Sequence, residues 1–221
     1  MRSIRALTTV VALVAALPSV VAAQGSRQFK DAWFWGVKGG GFTFADSAGQ
    51  NQFAPVAGVE WLITRTHAGL YVSFSQAFMN TQTVFAANPM SPDTSMRPIN
   101  LKNVRKLDAA LMGFPGKRVS WHPYIGIGFS VAQVASAEGV GPYASVDEFD
   151  ATERLILNTK VGVSPLVVAG AQYRLAPISI FGQAMVSPTQ KNFILYNGQP
   201  ANFTVEFGLR YNVGTSISKD Y

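Results

Sequence analysis

Between Phe203 and Val213 every odd position is apolar or aromatic and every even position is polar or glycine. The odd set is Phe203, Val205, Phe207, Leu209, Tyr211 and Val213. The even set is Thr204, Glu206, Gly208, Arg210 and Asn212. A repeat of two is the β-strand period, because successive side chains point to opposite faces. The charges decide what kind of strand this is. Glu206 and Arg210 share the polar face, and the other face carries no charge. The segment is long enough to cross a bilayer as a tilted strand, which takes roughly 9–11 residues. One face suits lipid and the other a polar interior, the alternation of a membrane-spanning β-barrel.

The pattern recurs along the chain. Leu70, Val72 and Phe74 alternate with Gly69, Tyr71, Ser73 and Ser75. Leu107, Ala109 and Leu111 alternate with Lys106, Asp108 and Ala110. Ile125, Ile127, Phe129 and Val131 alternate with Tyr124, Gly126, Gly128 and Ser130, and Ala169, Ala171 and Tyr173 with Gly170, Gln172 and Arg174. Val59, Trp61 and Ile63 flank Glu60 and Leu62. In the Gly-rich stretch 33–44, an inward Lys38 puts Trp35 and Val37 outward. In 178–187, Gln183 places Phe181 and Met185 on the inner face. Strands are expected over 33–44, 53–64, 68–79, 104–114, 123–135, 162–175, 178–187 and 203–213. Alternate gaps are long and rich in loop formers: Ala45–Gln52, Asn80–Asn103, Ser136–Val161 and Pro188–Asn202. The others are short. The expected fold is all-β, an eight-stranded antiparallel up-and-down transmembrane β-barrel. Long loops at one end and short, periplasmic turns at the other are the build of such barrels.

Residues 1–23 read as a secretory signal peptide. Arg2 and Arg5 make a basic start, 6–21 is apolar, and Val21-Ala22-Ala23 supplies small residues at a cleavage site. The mature domain is expected over 24–221, roughly 200 residues and the size of one domain. No cysteine is present, which excludes disulfides, thiolate metal sites and a lipid-anchored N-terminal cysteine. No later segment has the ~18 uninterrupted apolar residues of a transmembrane helix. The formal charge is +6, about +4 once Arg2 and Arg5 are removed with the signal segment, a modest excess that can favour anionic headgroups; export makes nucleic acid a poor partner.

Pro123-Tyr-Ile-Gly126-Ile-Gly128-Phe129, Gly170-Ala-Gln-Tyr173-Arg174-Leu175 and the closing Phe207-Gly-Leu-Arg210-Tyr211 together resemble the eight-stranded outer-membrane barrels of the OmpA/OmpX type. The resemblance spans the mature chain. It implies a place in the outer membrane of a diderm bacterium and contact with outer-membrane lipid and lipopolysaccharide. It also implies insertion by the barrel-assembly machinery and no cofactor. Such barrels often finish on an aromatic within the last strand. Here Gly214 to Tyr221 run past it, and Tyr221 serves as that aromatic if the strand extends. The peptidoglycan-binding module of full-length OmpA-like proteins is not expected.

The inward faces gather Lys38, Glu60, Lys106, Asp108, Arg174, Glu206 and Arg210. An eight-stranded barrel has an interior about wide enough for side chains to fill, so these charges are expected to pair and plug the lumen. A gated narrow conduit is the alternative. Trp33, Trp35, Trp61, Trp121 and Tyr124 fall near the short-turn ends and suit an aromatic girdle. Catalysis has little to work with. The two histidines are His67 in a turn and His122 at a strand start, with Ser120 nearby. Gly39-Gly40-Gly41 lies inside a strand, where glycine marks curvature or a close backbone approach. The acidic run Asp147-Glu148-Phe149-Asp150-Ala-Thr-Glu153 matches no calcium loop, and Ser145-Val-Asp-Glu148 fits a helix capping box. The expected function is non-enzymatic: envelope integrity or surface binding through long loops. A narrow porin, a soluble lipocalin-like periplasmic carrier and a lipid-modifying enzyme compete with it.

Overall fold

The computed structural model describes residues 29–45, 51–86, 96–115, 120–141, 143, 145–190, 193–195 and 200–216. The signal segment and Tyr221 lie outside the described residues.

Eight antiparallel strands close into an up-and-down barrel. They are β1 (Ala32–Ala45), β2 (Asn51–Thr64), β3 (Ala68–Ala86), β4 (Met96–Gly113), β5 (Trp121–Gly139), β6 (Val161–Arg174), β7 (Ile178–Pro188) and β8 (Ala201–Thr215). Each pairs with its neighbours in sequence. β1 closes on β8, from Ala32 opposite Thr215 to Phe42 opposite Thr204. Closure gives backbone polar groups partners within the sheet, which is what lipid demands of a strand. Five strands begin and end within two residues of the expected bounds: β1, β2, β6, β7 and β8.

β3 and β4 run further than their alternation implies, taking up 80–86 and 96–103 of the loop expected over Asn80–Asn103; 87–95 lie outside the described residues. The cause is an irregularity at Asn103, whose backbone is left-handed with φ 54°. The register slips there, Ala77 facing Val104 but Asn80 facing Lys102. The inward parity of β4 flips with it: Ile99 and Leu101 are buried before it, Val104, Lys106 and Asp108 after it. Asn103 accepts a hydrogen bond from the Met79 amide through Oδ1, at 3.3 Å. Asparagine is among the few residues that visit this backbone region readily.

The long β5–β6 connection carries a helix, α1 (Val146–Thr159). Ser145 caps it, its hydroxyl accepting from the Glu148 amide at 3.2 Å. The cap is the one the sequence indicates, and the helix it starts spans 14 residues. Its buried Ile156 faces the barrel mouth. The end of α1 also meets the β7–β8 connection, where the Ile194 amide donates to the Thr159 carbonyl at 3.0 Å.

The faces follow the sequence period. On β8, Phe203, Val205, Phe207 and Leu209 are exposed, while Thr204, Glu206, Arg210 and Asn212 are buried. On β7, Phe181, Gln183 and Met185 all point inward. Large apolar side chains therefore cover the outside: Ile127 is 68% exposed, Leu111 67% and Phe207 64%. A soluble carrier has the opposite distribution, and the lipocalin-like reading falls with this observation.

The interior is layered. At the long-loop end, Phe42, Phe44, Ile99, Leu101, Ile156 and Phe193 to Leu195 belong to one apolar cluster. A second cluster is centred at the short-turn end, with Phe29, Phe34, Leu62, Met112 and Phe114. Polar and charged residues fill the space between.

Candidate functional site

Three cations and three carboxylates lie buried in the middle layer: Lys38, Lys106 and Arg210 with Glu60, Asp108 and Glu206. Their formal charges cancel. Arg210 is fully buried. Its Nε donates to Glu60 Oε1, and its Nη1 to Gln172 Oε1 at 2.5 Å. Its guanidinium lies over the Phe181 ring, 3.9 Å from the centroid. Lys38 Nζ meets Glu206 Oε2 at 2.8 Å, with Tyr71 and Ser73 hydroxyls each at 3.0 Å. Asp108 accepts from Ser130 at 2.5 Å and from Ser73 at 3.4 Å. Lys106 stands 3.8 Å from Asp108 and 3.3 Å from the Thr204 hydroxyl.

Two side chains join these groups. Gln183 donates through Nε2 to Tyr71 and Glu206, both at 2.8 Å, and accepts from Tyr124 at 2.9 Å. Ser73 links Lys38 to Asp108. Strand geometry explains the choice of partners. Glu206 and Arg210 lie on one face of β8 about 13 Å apart at ~3.3 Å per residue, so each reaches a different strand: Lys38 on β1 and Glu60 on β2.

Glycines make the room. Gly36 of β1 lies between Glu60 and Arg210 in the register. A Cβ there would stand 2.8 Å from Glu60 Cγ. Lys38 is flanked in the same way by Gly58 and Gly208.

Arg174 shares the inward parity, but it is only half-buried at the short-turn mouth, apart from the buried six. Gln172, Gln183, Tyr71 and Tyr124 are the members that reading for charge alone overlooks. Their signal was present in the inward parity of their strands.

Trp33 and Trp35 are exposed on the outside at the short-turn end, and both pack on Trp61, at 5.5 and 5.9 Å between centroids. Trp121 is exposed beside Tyr173. Tyr124 does not belong with them. It is buried in the lumen and bonded to Gln183, because its even parity on β5 points inward with Gly126 and Ser130. Tyr173 takes the outward-facing place beside Trp121.

His122 is buried and stacked on Phe29 at 3.9 Å, part of the short-turn seal. Among the described residues, no cluster of His, Asp or Glu could hold a metal ion. Gly40 and Gly41 allow close approach as expected. A Cβ on Gly40 would meet the Val205 carbonyl oxygen at 1.9 Å, and Gly41 lies under the Phe53 ring.

An apolar outside, a polar filled inside and eight closed strands together define the architecture. This is the fold of the eight-stranded outer-membrane barrels. Neisserial surface protein A superposes with a TM-score of 0.52 at 11% identity, over 81% of this chain and 96% of that one. Ail, the attachment invasion locus protein of Yersinia pestis, superposes with a TM-score of 0.50 at 9% identity, over 83% and 99%. The likeness is one of fold. No protein-family model and no curated protein matches the sequence.

Proposed function

We propose that this protein is a non-enzymatic outer-membrane barrel that does not conduct and that acts through its long-loop end. The short turns face the periplasm and α1 the outside, the arrangement usual for this build. The observation that carries the reading is the neutral, interlinked polar layer sealed between two apolar clusters. Among the described residues, paired side chains occupy the middle of the barrel, which supports a lumen closed to conduction. Its counterpart is a structured loop end, where α1 exposes Val146, Phe149 and Leu157 together with a run of carboxylates. Those are surface-contact features. Ail, whose name describes attachment and invasion, shares the fold and supports a surface role. Lipid and lipopolysaccharide are the expected surroundings of the apolar exterior, and the barrel-assembly machinery the expected route of insertion.

Planar-bilayer recording tests the reading. The refolded protein should show no steady conductance. A large, stable, ohmic conductance would replace this reading with the narrow-porin one.

A further inference from the structure

The barrel wall has a gap at its long-loop end. β6 begins at Val161, but its pairing with β7 begins only at Val167 opposite Val186. Among the described residues, 161–166 pair with β5 alone, up to Val161 opposite Gln133. On the other side, Ser187 and Pro188 pair with β8 alone. Facing described residues, the unpaired edge 163–166 is about 13 Å long at ~3.3 Å per residue. Pro165 on one side and Pro188 on the other have no N–H to contribute across it, and proline is confined to such edges. An open edge is not tolerated in hydrocarbon unless it lines a polar cavity.

A cavity lies behind this edge. Its walls include Val163, Ser164, Ser187 and Pro188 from the edges, and Lys106 and Asn202 from inside the barrel. Its volume of about 20 Å³ holds one or two water-sized groups. Phe193 roofs it, packed over Gly162. Two buried polar atoms there have no hydrogen-bond partner, Asn202 Oδ1 and Thr189 Oγ1. Lys106 is the most loosely held of the three buried cations. An ammonium carries three donors, and its contacts are the 3.3 Å hydroxyl, the 3.8 Å carboxylate and the Phe42 ring, 5.7 Å to its centroid. Lys38, by contrast, meets its carboxylate at 2.8 Å.

We propose that the gap between β6 and β7 is a lateral window that admits the head of a single-chain anionic amphiphile from the surrounding membrane. The head is a carboxylate. It sits against Lys106, with the Thr189 hydroxyl as a further donor, and the chain leaves through the gap past Val163 and Pro188. Three observations select this ligand. The loosely held Lys106 ammonium and the unpartnered Thr189 hydroxyl offer donors to an anion. The volume fits two oxygens and excludes a sugar or a bulky phosphate ester. The exposed Val163, at the lip of the cavity, continues the apolar exterior. Assigning the window to the outer leaflet rests on the orientation proposed above, but the window itself does not.

Native mass spectrometry of the refolded full-length mature protein in neutral detergent, titrated with oleate, tests the proposal. Heat-modifiable gel mobility confirms a folded barrel in each sample, independently of conductance. Wild type should bind one oleate. Ser187→Leu, which fills the cavity, and the charge-neutral pair Lys106→Met with Asp108→Asn should each weaken binding about tenfold or more, the scale of a lost charge-assisted hydrogen bond. Oleyl alcohol, with the chain but no charge, should bind about tenfold or more weaker than oleate by the same reasoning. Acetate, with the charge but no chain, should not compete. Absence of stoichiometric oleate binding to folded wild type overturns the proposal, as does equal binding in both folded variants. Oleyl alcohol binding as tightly as oleate, or acetate displacing oleate, overturns it as well.

Discussion

Gly208 shows how little tolerance single positions have in this wall. By parity it belongs to the polar face of β8, where a small substitution such as serine is expected to be mild. The structure corrects that expectation. A Cβ on Gly208 would stand 2.2 Å from the Val37 carbonyl oxygen and 2.6 Å from the Phe181 ring. The backbone cannot retreat without opening the β1–β8 pairing, and Phe181 is held under Arg210. Gly208→Ser should therefore cost about 1–3 kcal/mol as overpacking. Leu209 next to it faces outward and is half exposed to the surroundings. Leu209→Arg should cost roughly 2–4 kcal/mol if the site lies near the midplane of a bilayer. A refolding titration into lipid vesicles measures both, and in detergent micelles the Leu209→Arg penalty should shrink while the Gly208→Ser penalty persists. Parity read from the sequence places both side chains correctly. It carries no information about what lies opposite a glycine, and that is why the serine expectation fails.

At the scale of the element, alternation is legible only while the register is regular. The lower part of β4, from Val104 to Met112, keeps one parity and can be read directly. Above Asn103 the buried set moves to odd positions, so no single period-two pattern covers the whole strand. The strand extension is hidden by that flip rather than by weak β-propensity. Asn103 should accordingly matter more than an ordinary strand asparagine. Asn103→Ala loses the bond to the Met79 amide and leaves an alanine in left-handed backbone, about 1–3 kcal/mol in total. Asn103→Gly loses the bond but relieves the backbone, so it should cost less. A larger loss for glycine than for alanine in urea-driven unfolding would mean that the positive φ is not what makes the site special. Helix α1 gives a separate case. Its capping box is readable because Ser145 and Glu148 stand at the required spacing. Its packing is not, because the Ile194 segment that the end of α1 meets lies in a connection without a period. Ser145→Ala should cost about 1 kcal/mol of helix stability. Hydrogen exchange should show the loss in the first turn of α1 and leave β5 and β6 protected.

Across the whole molecule, three layers fill the barrel interior among the described residues, and only the middle one is visible in the sequence. Charges on inward faces identify the polar layer. The apolar layers need Phe29, Ile156 and Phe193 to Leu195, which approach from outside the strands. This changes what removal of a charge should do. With the polar layer alone as the plug, Arg210→Ala would open a path. In the layered interior, the clusters at both ends remain intact when Arg210 is lost, so Arg210→Ala should stay electrically silent in planar bilayers. Its effect should fall on stability instead. Glu60 would keep a buried negative charge without its cation, a loss of about 3–5 kcal/mol for a dry pair. Replacing both members, Glu60→Gln with Arg210→Gln, removes the uncompensated charge. The double variant should be more stable than Arg210→Ala and less destabilised than the two single changes added together, with a coupling of about 0.5–3 kcal/mol. Additive losses would show that the pair is screened by lumen water. A steady current through the Arg210→Ala barrel would show more: that the apolar ends leak and the ion pairs alone hold the barrel shut.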